Sequence, residues 1–426
     1  MPERQQHAAS IITIGDELLI GQVIDTNSAW MAQELNKNGI AVKRRVAVGD
    51  SWDEIWKALD EESLHASIIL ITGGLGPTAD DITKPLLCRY FDGKMTVNQG
   101  ALDNVKHIFE TVLKRPAGER NLKQAEVPDN CNVILNKRGT APGMWFEKNG
   151  KVFVSMPGVP HEMKGMMTDD VIPALLKKFS FPVIAHRTLL TAGIGESVLA
   201  DLIQPWEENL PPHVKLAYLP NYGMVRLRLS ISGNGKASVI GEIDQYFTEL
   251  QQLVRDYMVT NADEPLEVVV GKLLLERNQT MATAESCSGG YIAHLITSIP
   301  GSSAYYEGSL VTYSYKAKET LLGVDEHTLI DEGAVSEEVV RQMVRGALEK
   351  LNTDYAVAVS GIMGPDGGTP EKPVGTVWVA VANREKIITK KLYFRFDRQR
   401  NIQLTSVSAL NMLRLLILES GASPTQ

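Results

Sequence analysis

Short apolar runs that stop at a glycine- or hydroxyl-rich turn and give way to helical spacing recur along this chain. Such a chain can bury its strands only by covering a sheet with helices. Near the start, Ile11-Ile12-Thr13-Ile14 ends at Gly15. Residues 26–38 carry Trp30, Met31 and Leu35 at helical spacing and stop at Gly39, a natural helix end. Residues 40–48 alternate like a strand, and Ser51-Trp52-Asp53-Glu54 is a capping box opening a helix through Leu59. Residues 67–71 are β-rich and end in Gly73-Gly74-Leu75-Gly76-Pro77-Thr78. This rhythm predicts a parallel sheet that binds ligands at the C-terminal ends of its strands. A strand-rich stretch over 132–154 and a helix over 162–178 follow, and Phe181-Pro182 marks a boundary.

Residues 183–258 read as a smaller α/β unit, with strands over 187–191 and 223–232 and a helix over 238–256. Asn261-Ala262-Asp263-Glu264-Pro265 is a polar breaker before a helix over 266–276. The last part alternates again. Strands are expected over 280–284, 308–313, 355–360, 375–382 and 387–394, with helices over 290–298, 316–322 and 336–351 and from Gln399 onward. The expected fold is α/β throughout, in three domains: 1–180, 181–258 and 259–426.

A chain of 426 residues can hold two or three cores, and 44% hydrophobic with 22% charged residues is ordinary for a globular protein. A net charge of −8 argues against a general binder of nucleic acid or anionic membrane. Cys88, Cys131 and Cys287 are far apart and form no CxxC pair, which disfavours a zinc site or a disulfide framework. No stretch approaches the about 18 apolar residues of a membrane span. The first residues lack the apolar core of a signal peptide, so a cytoplasmic enzyme is the expectation.

Chemistry concentrates in the last third. Glu285-Ser286-Cys287-Ser288-Gly289-Gly290 lies between an apolar run and a helix. Such a turn exposes a nucleophile and offers free backbone N–H groups to a developing negative charge. The same residues also suit a Ser-rich helix cap over a buried cysteine. A second segment, Tyr313-Ser314-Tyr315-Lys316-Ala317-Lys318, and a third, Ser360-Gly361-Ile362-Met363-Gly364-Pro365, follow other strands. A serine needs a base, and His294, His327, Lys316 and Lys318 all remain candidates. A desolvated lysine can lose its charge and deprotonate serine.

At the other end, Asp16-Glu17, Asp50 and Asp80-Asp81 gather at strand ends beside Gly74 and Gly76. Carboxylates beside a glycine loop suit a divalent metal on a phosphate or pyrophosphate, although each one singly also suits a helix cap. Three motifs fail on inspection. His161-Glu162 lacks the second histidine of a zincin, 230–237 lacks two positions of a P-loop, and no G-x-G-x-x-G follows the first strand.

Taken together, the motifs resemble the CinA competence/damage-inducible family. Gly15-Asp16-Glu17-Leu18-Leu19, Thr72-Gly73-Gly74-Leu75-Gly76-Pro77-Thr78 and Gly139-Thr140-Ala141-Pro142-Gly143 are similar to its N-terminal, molybdopterin-binding-like domain. Gly193-Ile194-Gly195-Glu196-Ser197 and Lys215-Leu216-Ala217-Tyr218-Leu219-Pro220 resemble its KH-type middle domain. Residues from Ala284 onward resemble its C-terminal nicotinamide-nucleotide amidase domain.

The resemblance implies hydrolysis of the carboxamide of nicotinamide mononucleotide to nicotinate mononucleotide and ammonia, with no cofactor. Ser286 would be the nucleophile and Lys318 its base, with Tyr313 and Ser288 in support. Gly289, Gly290, Ser360, Gly361, Met363 and Gly364 would line the site, and Arg398 or Arg400 would meet phosphate. The N-terminal domain is implied to be an ADP-ribose pyrophosphatase using Mg²⁺ or Co²⁺, with Asp50 and Asp81 ahead of Asp16, Glu17 and Asp80. The family also suggests a homodimer, and neither a membrane nor direct nucleic-acid contact is expected. Three positions depart from the family pattern: Ser288 for a common threonine, Met363 for a usual alanine, and Phe396 for a common glycine. The alternatives are a non-enzymatic partner in DNA uptake or repair, or an N-terminal domain that only binds a pterin.

Overall fold

The computed structural model describes residues 7–78 and 81–421. They form two compact bodies. The first runs to Ala185 and adds Ser232–Ile240; the second holds His186–Ile231 and everything from Gly241.

In the first body, β1 (Ala8–Ile14), β2 (Ala41–Val48), β3 (Ile68–Thr72), β4 (Asn132–Ile134), β5 (Gly143–Lys148) and β6 (Lys151–Met156) form one sheet in the order β2-β1-β3-β6-β5-β4. β1, β2, β3 and β6 pair in parallel, as the sequence rhythm predicts. The β6-β5-β4 side is antiparallel, because β5 and β6 join through the tight Asn149-Gly150 turn. Strand alternation sends Ile12, Ile14, Ile69 and Ile71 into one core and Ala9, Ile11, Ile68 and Leu70 into another. The helices α1 (Thr26–Lys37) and α2 (Trp52–His65) follow the spacing read from the sequence, whereas α3 (Thr83–Tyr90) went unread. The helix over 162–178 starts at α4 (Pro160–Met166).

The second body holds two sheets. β7 (Val183–Ala192), β8 (Val214–Asn221), β9 (Met224–Gly233) and β10 (Met258–Thr260) are ordered β8-β9-β7-β10, with α5 (Glu196–Glu207) and α6 (Lys236–Leu253) between them in sequence. Leu190, Ala192, Met224 and Val259 of this sheet enter the same apolar cluster as Leu266, Val270 and Leu274 of α7 (Leu266–Glu276).

The remaining elements are β11 (Met281–Glu285), α8 (Tyr291–Thr297), β12 (Tyr306–Val311), α9 (Tyr315–Leu322), α10 (Glu326–Asp331), α11 (Glu337–Leu351), β13 (Tyr355–Gly361), β14 (Thr376–Asn383), β15 (Ile387–Tyr393) and α12 (Arg398–Gly421). Their sheet is β12-β11-β13-β14-β15, with β11 parallel to both neighbours and β14 and β15 antiparallel. β11 and β13 are buried on both faces. Tyr355, Val357 and Val359 pack toward α7, α8 and α12, while Ala284, Ala356 and Ala358 pack toward α11. The C-terminal ends of the parallel β11, β12 and β13 therefore open on one side, where the three segments singled out from the sequence lie.

Among the described residues, α12 is the one helix long and apolar enough to cross a membrane. The sequence reading found no such stretch. Leu404, Ala409, Leu410, Leu413, Leu416 and Ile417 place this helix in the core of the second body.

Candidate active site

Ser286 follows the last residue of β11. Its N–H donates to the Val359 carbonyl of β13 at 3.1 Å, and Thr312 N–H donates to the Glu285 carbonyl at 2.8 Å. The strand end is thus pinned from both neighbours just where the chain turns. Gly289 and Gly290 adopt φ of 62° and 96°, so the chain reverses in a region that disfavours side chains before entering α8.

Lys318 projects from α9 on the neighbouring crossover. Its Nζ donates to Ser286 Oγ at 2.9 Å, to the Thr312 carbonyl at 2.7 Å and to the Tyr313 carbonyl at 3.3 Å. Lys318 has no exposed surface and Ser286 is 7% exposed. Burial disfavours the ammonium form and brings the Lys318 pKa down to about 8. No other candidate base comes near. Lys316 is exposed and pairs with Glu319, His294 is an exposed residue of α8 beside Tyr291, and His327 is exposed on α10.

Cys287 lies in the apolar cluster, and burial pushes its thiol up to about 12. A thiol of that kind is protonated at neutral pH and inert. The Ser288 hydroxyl is directed away from Lys318 and donates to Glu285 Oε2 at 2.6 Å.

Glu285 also accepts the Gly290, Ile292 and Ala293 N–H groups, at 3.1, 3.0 and 2.8 Å. The helix-start donors that the sequence offered to an oxyanion are therefore already engaged. The N–H groups of Cys287 and Ser288 have no backbone oxygen acceptor among the described residues and face the Cys287 sulfur. The role of Glu285 was missed from the sequence, because one side chain reaching eight residues ahead leaves no spacing signature.

The third segment borders the same strand ends. Ser360 Oγ donates to the Ala334 carbonyl at 2.6 Å, and Met363 is packed in the core rather than open to a ligand. Gly361 lies so close to β14 that a Cβ there would fall 2.9 Å from the Thr376 carbonyl oxygen. Arg398, the first residue of α12, donates to the Gly364 carbonyl at 2.9 Å and to the Tyr313 hydroxyl at 3.2 Å. Both partners are neutral, and Tyr313 is exposed. Arg400 instead lies over the Phe396 ring, 3.9 Å from its centroid. The structure thus brings Ser286 and Lys318 together, places Arg398 and Tyr313 side by side, and sets Arg400 on Phe396.

The N-terminal body has a separate cleft of about 450 Å³ lined by Gly15, Glu17, Asp50, Gly74, Gly76 and Asp81, among others. Asp81 accepts from the N–H of Gly76 and of Thr78 and from the Thr78 hydroxyl. Asp16 and Asp50 each accept the other's backbone N–H at 3.1 Å. Asp80 lies outside the described residues. Among the described residues, no group of three or more acidic, His or Cys side chains converges as a metal site. The described acidic residues Asp16, Asp50 and Asp81 accept N–H groups of the loops that carry them. Lys84 of α3 packs against Gln124 and Glu126. Buried, with Nζ on the Gln124 carbonyl at 2.9 Å, it is brought down to about 8 by desolvation.

Residues 263–417 match the CinA C-terminal domain, 10–177 a probable molybdopterin binding domain, and 186–260 the damage-inducible protein CinA KH domain. A CinA-like protein of Cytophaga hutchinsonii is 47% identical over 411 residues, covering 96% of this chain and 98% of that protein. The chain belongs to the CinA family. Another CinA-like protein, of Flavobacterium psychrophilum, is 44% identical over 413 residues, covering 97% of this CinA-family chain and 99% of its own. A crystal structure of competence/damage inducible protein CihA from Agrobacterium tumefaciens is 39% identical, with a TM-score of 0.35. It covers 36% of this CinA-family chain and 93% of its own.

Proposed function

We propose that the C-terminal α/β domain of this CinA-family protein is an amide hydrolase acting on nicotinamide mononucleotide. The observation that carries the reading is the buried Lys318 amine 2.9 Å from the Ser286 hydroxyl. Neutral Lys318 takes the Ser286 proton as Oγ attacks the carboxamide carbon. The cationic pyridinium makes that carbon electrophilic, and the N–H groups of Cys287 and Ser288 receive the oxyanion. One such donor is worth about 3–4 kcal/mol. The tetrahedral centre collapses, the lysine proton leaves on ammonia, and water then clears the acyl ester with Lys318 again as base. Among the described residues Arg398 donates to a carbonyl and a phenol and pairs with no carboxylate, which leaves its charge for the substrate phosphate. Incubating purified protein with nicotinamide mononucleotide and identifying the product by mass spectrometry tests this. Nicotinate mononucleotide with equimolar ammonia supports it, and unchanged substrate refutes it.

The glycine-lined N-terminal cleft supports a second reading, hydrolysis of the pyrophosphate of ADP-ribose. Asp50 and Asp81, which line this cleft, would help hold a divalent ion that neutralises the pyrophosphate charge. Release of AMP from ADP-ribose with Mg²⁺ or Co²⁺, lost in Asp81→Ala, would support it. Binding without turnover would leave a pterin- or nucleotide-binding domain. A protein without turnover on either substrate would instead favour the non-enzymatic role in competence or repair.

A further inference from the structure

Glu285 is fully buried and, among the described residues, forms no ion pair. A buried carboxylate without a cation is costly unless its oxygens are filled. They are filled almost entirely by the turn that carries the nucleophile. Oε2 accepts from Ser288 Oγ and from the N–H of Gly290 and Ile292. Oε1 accepts from Ala293 N–H at 2.8 Å and, more weakly, from the hydroxyls of Thr283 at 3.3 Å and Ser309 at 3.4 Å. The residue immediately before Ser286 thus folds its side chain forward across the turn and clamps residues 288, 290, 292 and 293.

Two consequences follow for the chemistry. The turn cannot swing, so Ser286 Oγ stays on Lys318. In addition, two hydroxyls flank Cys287 in the sequence, those of Ser286 and Ser288. The Ser288 hydrogen is committed to Glu285 at 2.6 Å, which leaves Ser286 as the hydroxyl facing the amine.

We propose that Glu285 is a positioning residue that selects Ser286 over Ser288 as the nucleophile. The proposal rests on the reading of Ser286 and Lys318 as a reactive pair, but not on which amide is hydrolysed. Glu285→Gln is the direct test. It keeps the shape and turns one acceptor into a donor that faces other donors.

The full-length protein is treated with phenylmethanesulfonyl fluoride, and the adducts are timed and located by peptide mass spectrometry. In the wild type the adduct is expected on Ser286 alone. In Glu285→Gln the rate at Ser286 is expected to fall at least about tenfold, the scale of a misplaced reacting group, with adduct appearing on Ser288. Glu285→Asp keeps the carboxyl group but is too short to span the clamp. It is expected to show the same changes more weakly, and it carries the test if the glutamine variant does not fold.

Wild-type rate and Ser286-only labelling in a folded variant would overturn the proposal. A wild type that labels on Ser286 yet releases no ammonia from nicotinamide mononucleotide would overturn the substrate reading and leave the positioning role supported. A wild type with no Ser286 adduct would overturn both.

Discussion

Lys318 Nζ lies 2.9 Å from Ser286 Oγ, and its other partners are the main-chain carbonyls of Thr312 and Tyr313. No carboxylate is within ion-pair distance of Lys318 among the described residues, so its acceptors only partly offset the cost of burying its charge, and desolvation dominates. The amine is therefore held ready to be neutral. Removing it should remove the base. Lys318→Arg keeps a cation that cannot be deprotonated in proteins. Its rate of ammonia release should fall by about 10²–10⁴, the usual scale of a general base, when measured by a coupled ammonia assay.

The same burial sets the pH dependence. With a pKa near 8, Lys318 is the base only in its unprotonated form. The rate should rise about tenfold per pH unit below that value and level off above it. The stability linkage has the same sign. The folded pKa lies below the unfolded one, so the unfolded chain binds the extra proton between pH about 8 and about 10.4. Stability from this group is complete above that window and is lost as pH falls through 8. A profile of kcat/KM between pH 6 and 9.5 checks the first expectation, and urea midpoints over pH 7.5 to 10.5 check the second.

Cys287 separates the two readings of the hydroxyl turn. Its thiol is buried in the apolar cluster and pushed up to about 12. Cys287→Ala should keep the wild-type rate and cost about 1 kcal/mol of stability. Iodoacetamide should leave the native protein active. Steady-state kinetics and a denaturant melt read both.

The legibility of this site divides along physical lines. Ser286 could be read as a candidate because a strand, a hydroxyl and two glycines before a helix form a local pattern. The choice among Lys316, Lys318, His294 and His327 could not be made locally. It depends on burial, which packing of α9 against its crossover decides. The parallel strands of both sheets followed from their apolar runs. The antiparallel edges formed by β4 and β5, and by β14 and β15, depend on chain reversals that strand periodicity does not encode. The helices Thr83–Tyr90 and Glu196–Glu207 went unread; the first carries Pro85 in its opening turn and the second an internal Pro205. The hydrogen bonds by which Asp16, Asp50 and Asp81 hold their own loops could not be read, because sequence shows charge and not hydrogen-bond partners.

Arg398 should matter for phosphate and little else. Arg398→Ala should raise KM for nicotinamide mononucleotide about tenfold or more, on the scale of a lost charge-assisted hydrogen bond, with kcat changed far less. The unphosphorylated riboside should be turned over equally by both proteins. Paired KM measurements on the two substrates check this.

Gly346 supports the base from behind. It lies in α11, and a Cβ there would fall 2.0 Å from the carbonyl oxygen of Leu322, the last residue of the helix that carries Lys318. Gly346→Ala must push that helix away or bend α11. It should destabilise the protein by about 1–3 kcal/mol, read from a urea transition, and slow ammonia release together with it.

The most direct measurement of the central claim is ammonia release from nicotinamide mononucleotide by the wild type and by Ser286→Ala. The wild type should turn the substrate over, and the folded variant should release no ammonia above background. A folded Ser286→Ala protein that releases ammonia at the wild-type rate would contradict the account.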